Sequence, residues 1–122
     1  MSKADDLQAR VEAFADLSVK FVLGLPDDQA ARRMGLQYLD ASTSVGANYR
    51  AARRGKSHAD FTSKIGTVSE EADESVYWLK RLLIANIRST GAATEPLLQE
   101  AEELAKIFGA SARTARRRRR RE

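Results

Sequence analysis

Between residues 58 and 87, apolar and small side chains recur at intervals of three and four: Phe61, Ile65, Val68, Ala72, Ser75, Val76, Leu79 and Leu83. Residues on one side of a strand are two apart, whereas residues on one face of a helix are three or four apart. The spacing therefore predicts an amphipathic helix over 58–87. Gly55 closes the segment before it, Ser57 fits its N-cap, and Asp60 stands where a capping box places its acid.

The same period returns in three other segments. Over about 4–23 it is carried by Leu7, Val11, Phe14, Ser18, Phe21 and Val22, and "GLPDD" at 24–28 ends it. Over 28–54, Met34, Tyr38, Ala41, Val45, Asn48 and Ala52 form a stripe with Leu36 and Leu39 beside it. Gly35 and Gly46 weaken that helix by ~1 kcal/mol each relative to alanine, which implies close approach of another backbone. From Thr94, a candidate cap with Glu95 and Pro96 in the first turn, the stripe is Leu97, Leu98, Ala101, Leu104, Ala105, Phe108 and Ala112. Proline occurs only at Pro26 and Pro96, and β-branched residues form no alternating runs. The expected fold is all-α: four helices joined by connections of about four to eight residues, which favours an up-down-up-down antiparallel bundle.

Charge is distributed unevenly. Residues 111–122 hold Arg113, Arg116, Arg117, Arg118, Arg119, Arg120, Arg121 and Glu122, a net of +6, so the net +4 of the whole chain leaves −2 for the rest. The expected organisation is a bundle domain over 1–112 and a basic tail over 113–122, disordered because like charges at i and i+4 repel. There is no cysteine, the N-terminus is charged, and no apolar run approaches the ~20 residues that span a bilayer, so a cytoplasmic protein without membrane contact is expected.

"SVGANYRAA" (Ser44 to Ala52), Ser57 with Asp60 and Phe61, and "EADESVYWL" (Glu71 to Leu79) go beyond generic patterning, with Leu25, Pro26 and Gln37 as earlier landmarks. Over about residues 7–108 the chain resembles the four-helix bundle proteins known as the 23S rRNA intervening-sequence protein family. The resemblance implies a left-handed bundle assembled as a ring-shaped homopentamer, and no enzymatic reaction. It also implies kinship in fold with the accessory variability determinant of diversity-generating retroelements, a basic ring that binds nucleic acid and a reverse transcriptase. The arginine run has no counterpart in the family pattern.

The residues offer two sets of candidates. Arg50, Arg53, Arg54 and Lys56 cluster at the end of the second helix, and guanidinium forks suit phosphate. The same charges also satisfy the carbonyl end of a helix. With Arg116 to Arg121 they are the candidate nucleic-acid contacts. Ser44, Asn48, Tyr49, Glu71, Glu74 and Trp78 are the candidate structural and interface residues. Glu71 or Glu74 is expected to face polar groups on the second helix, such as Ser44, Asn48 or Arg50, or to pair across a subunit boundary. A helical asparagine such as Asn48 calls for a partner, Tyr49 packs or stacks on a base, and Trp78 lies on the flank beside an inward Leu79 as an interface anchor. With a single histidine, His58, expected at the surface, neither a catalytic constellation nor a metal or cofactor site is expected. The leading expectation is an oligomeric nucleic-acid-binding protein, and the alternative is a protein scaffold without nucleic-acid binding. A nuclease would need a metal-dependent carboxylate site that these residues do not assemble.

Overall fold

The computed structural model describes residues 2–85 and 91–121, with the side chains of 91–93 excepted, and comprises α1 (Lys3–Leu23), α2 (Gln29–Arg53), α3 (His58–Ile84) and α4 (Gly91–Arg121). No strand occurs among the described residues. Three helices begin on side chains that accept a backbone N–H the helix itself leaves unbonded. Ser2 accepts from Asp5 N at 3.0 Å while Asp5 accepts from Ser2 N at 3.3 Å, a reciprocal capping box. Asp28 accepts from Ala31 N at 3.0 Å, and Ser57 accepts from Asp60 N at 3.0 Å. The Asp60 carboxylate accepts from Lys56 N at 3.1 Å, one residue ahead of the cap, so the expected box is closed on the turn rather than on the cap itself.

α2 packs along α3, α3 along α4, and α1 along α2, while the contact between α1 and α4 is narrower. This is a four-helix bundle with sequential neighbours. Its core draws Val11, Phe14 and Phe21 from α1, Tyr38, Val45 and Ala52 from α2, Ile65, Val68, Ala72 and Leu79 from α3, and Leu97, Ala101, Leu104 and Phe108 from α4. Each large aliphatic side chain taken out of water there contributes ~1.5–3 kcal/mol. α3 departs from the expected face at its ends, where Thr62 and Leu82 are buried and Phe61 and Leu83 are half-buried, and at Val76, which is half-buried. Steps of three and four both satisfy the helical period, and packing against two neighbours chooses between them.

Polar groups inside the core are satisfied locally. The Tyr38 and Ser18 hydroxyls lie 2.6 Å apart, with Phe14 and Phe21 edge-on to the tyrosine ring at 6.4 and 5.8 Å. Ser75 donates to Glu71 O at 2.9 Å and Thr62 to His58 O at 2.8 Å. Of the two glycines of α2, Gly35 meets a close neighbour, since a Cβ there would stand 2.5 Å from Leu25 Cδ1, a side-chain atom rather than the expected backbone; a Cβ on Gly46 would stand 3.7 Å from Val11, an ordinary contact.

Two expectations at α4 require correction. The helix begins at Gly91 rather than at a Thr94 cap, which puts Pro96 inside it and Thr94 at 2% exposure. At the other end the helix runs unbroken to Arg121, so no structural break falls at 112/113 and residues 113–121 are helical rather than disordered. Ala112 and Ala115 are both buried, carrying the core stripe past the expected boundary. Propagation from an anchored helix requires no new nucleus, and arginine is a good helix former. Repulsion of ~0.2–0.5 kcal/mol per i,i+4 pair does not outweigh this. α3 ends at Ile84 with Ala85 as its C-cap, ahead of the expected 87, while residues 86–90, which include the first three of the expected break at 88–94, lie outside the described residues.

Candidate polyanion-binding end of the bundle

Antiparallel packing brings four helix termini together: the N-termini of α1 and α3 and the C-termini of α2 and α4. Asp5 of α1 pairs with Arg53 of α2 at 2.7 Å, and His58 Nε2 of α3 lies 3.0 Å from the Ala115 carbonyl of α4. Both arginine clusters, more than sixty residues apart in sequence, therefore sit at one end of the molecule.

The two clusters differ in their surroundings. Arg50, Arg53 and Arg54 share an open cleft of about 630 Å³ between α1 and α2 with Asp5, Gln8 and Glu12. Arg53 is committed to Asp5, and its hydrogen bond, helped by Ser2, holds the Asp5 carboxyl below the usual carboxylate range. Arg50 and Arg54 are exposed. Lys56 is exposed nearby, but its backbone N–H and charge are directed to Asp60, whose carboxyl is lowered first by its hydrogen bond from Lys64 and then by that from Lys56 N. This is a mixed-charge surface with two guanidinium groups, Arg50 and Arg54, that make no ion pair among the described residues.

The helical end of α4 is uniformly basic. Arg116 to Arg121 are all exposed, and neither they nor Arg113 make an ion pair among the described residues. His58, expected at the surface, is instead half-buried, with its ring stacked 6.4 Å from that of Phe61 and its Nε2 on the Ala115 carbonyl. No sequence signal marked that contact, because it joins residues fifty-seven apart.

The candidate polar and interface residues separate. Tyr49 is buried, its ring 5.2 Å from that of Phe108, so it packs in the core rather than offering a face to a base. Burial pushes its phenol pKa up, with Arg53 opposing. Glu71 and Glu74 make no hydrogen bond to Ser44, Asn48 or Arg50 among the described residues. Glu71 is half-buried, its carboxyl pKa raised first by desolvation and then by the charges of Glu74, Glu70 and Asp40. α2 thus presents Asp40, an acid, where a polar partner was expected. Asn48 and Ser44 are half-buried, and the Asn48 side chain forms no hydrogen bond to the described residues, leaving its amide to solvent. No cluster of acids and histidines suited to a metal ion occurs among the described residues.

Trp78 lies on the flank beside a fully buried Leu79, over a shallow surface shared with Met34, Leu36, Arg33 and Gln37. Leu36 remains 53% exposed and Tyr77 50% exposed, with the Tyr77 ring edge-on to Trp78 at 5.0 Å and beneath the Arg81 guanidinium at 4.8 Å.

A solved structure from Bacteroides thetaiotaomicron, described as a protein of unknown function from the S23 ribosomal protein family, matches with a TM-score of 0.79 at 30% identity, covering 92% of this chain and 99% of that one. The chain belongs to the S23 ribosomal protein family. No protein-family model and no curated protein matches it. Membership in the S23 family agrees with the four-helix bundle, and no described helix is long and apolar enough to cross a membrane.

Proposed function

We propose that this S23-family chain is a non-enzymatic cytoplasmic protein that assembles as a ring, a homopentamer by the resemblance stated above, and binds RNA or DNA through one basic end. The observation that carries the reading is topological: the bundle gathers Arg50, Arg54 and Arg116 to Arg121 at the same end, where none of these side chains makes an ion pair among the described residues. Repetition around a ring would raise the effective concentration of weak phosphate contacts. A role beside a reverse transcriptase, or with an element linked to ribosomal RNA, rests on the same resemblance.

The second reading is a scaffold that binds protein alone. It is favoured by the Trp78, Leu36 and Tyr77 surface, since large half-covered aromatics typify protein interfaces. Labelled RNA and DNA are titrated against the full chain at two salt concentrations. Binding that weakens steeply with salt supports the nucleic-acid reading, because released counterions set that slope. Absence of binding at low salt leaves the scaffold.

A further inference from the structure

Past the end of the core, the face of α4 that carries Phe108, Ala112 and Ala115 continues as Arg116, Arg119 and Arg120. These three arginines do not project freely. With Thr62, Ser63 and Gly66 of α3 they line an open cleft of about 650 Å³. Among the described residues no acid lines it, in contrast to the cleft between α1 and α2, where Asp5 and Glu12 stand among the arginines.

The floor is as distinctive as the wall. Gly66 interrupts the middle of α3 at a cost of ~1 kcal/mol relative to alanine. A Cβ there would meet nothing within 4 Å, so no internal packing requires the glycine, unlike Gly35 against Leu25. Ser63 is exposed and its hydroxyl donates to no described group, while the Thr62 hydroxyl is oriented by donation to His58 O at 2.8 Å. Further along the groove, Arg113 folds over Gly109: its guanidinium would lie 3.4 Å from a Cβ there, with Ser69 Oγ at 3.9 Å. The result is a strip of hydroxyls and bare backbone edged by Arg113, Arg116 and Arg120 at successive turns.

We infer that this α3–α4 groove is a seat for the phosphodiester backbone of a nucleic-acid strand, with the arginine forks on the phosphates and the Ser63 and Gly66 floor admitting the sugar-phosphate chain. The inference rests on the nucleic-acid reading and adds that the tail acts as a helix against α3, not as a loose polycation. An acidic peptide fits less well, because extended peptides are held by pockets for alternate side chains and this floor has none. No aromatic ring lines the cleft, so binding is to backbone and carries no base preference.

The test is fluorescence anisotropy with a labelled single-stranded RNA and a duplex of the same sequence, which distinguish the source of the phosphodiester. Full-length protein is compared with Gly66→Gln, which fills the floor without changing charge. A second variant carries Gly-Ser-Gly inserted after Ala115, which keeps every arginine but frees the run from α3. Both are expected to bind at least one of the probes five-fold or more weakly without loss of bundle stability, Gly66→Gln melting somewhat higher than wild type because the glycine penalty is removed. Variants that bind as tightly as wild type, while deletion of residues 116–122 abolishes binding, would overturn the groove and leave the nucleic-acid reading standing. Wild-type protein that binds neither probe at low salt defeats both. Polyglutamate bound as tightly as RNA, with the same dependence on Gly66, would overturn the phosphate chemistry.

Discussion

His58 Nε2 lies 3.0 Å from the main-chain carbonyl of Ala115, and this contact fixes where α4 leaves the core. It joins the first turn of α3 to the last buried turn of α4, so the arginines that follow start from a defined position and rotation.

Replacing His58 with alanine removes one hydrogen bond and a stacking contact with Phe61. The expected loss is about 1 kcal/mol of stability. Amide exchange should accelerate selectively from Arg113 onward. Equal acceleration throughout the chain would show that the contact does not act locally.

Tyr38 is buried and its phenol pKa is raised, first by desolvation, with the Ser18 and Ser42 hydroxyls opposing. A raised folded-state pKa means that the contribution to stability is fully present below the ordinary value of 10.0 and is lost as pH rises above it. Tyr38→Phe should therefore flatten the fall in melting temperature above pH 10 relative to wild type. At neutral pH it should cost ~1–2 kcal/mol, because it leaves the buried Ser18 hydroxyl without its partner.

Glu71 has a raised carboxyl pKa, so its charge opposes folding once pH exceeds the ordinary value of 4.5. Glu71→Gln is expected to raise the melting temperature at pH 7 and to have no effect at pH 3.5. A lower melting temperature at pH 7 would show instead that a cation from another copy of the chain stands against Glu71.

Leu36 and Trp78 separate assembly from folding. Leu36 is 53% exposed, so Leu36→Asp should leave the helical content and the fold of each chain intact. If the α2–α3 flank is the contact between copies, light scattering should show a smaller particle for Leu36→Asp and for Trp78→Ala. Wild-type mass in both variants would remove this flank from the interface. By contrast Leu104→Ala, at a fully buried position, should cost ~2–5 kcal/mol whatever the assembly state.

Much of this molecule was legible before any coordinates. The three-and-four spacing over Ile65, Val68, Ala72 and Leu79 marked the inner face of α3, and Ser57 marked its start, because side-chain period and N-cap chemistry are local. The motifs between Ser44 and Leu79 pointed to a four-helix bundle family. What could not be read was which polar groups meet. Asp40 rather than Arg50 acts on Glu71 from α2, and Arg53 is taken up by Asp5 rather than left free. Gly66 is obscured by the strong helical pattern around it, although a glycine inside a helix is itself a signal.

The sequence by itself determined four amphipathic helices, their order and most of their buried faces, since each follows from periodicity within one segment. Only the tertiary structure decided the fate of the arginine run. Whether six like charges stay helical depends on the turn before them, and that turn is held by Ala112, Ala115 and the His58 contact from a helix fifty-seven residues earlier. Local repulsion favoured disorder, whereas packing and helix continuity set the run along α3.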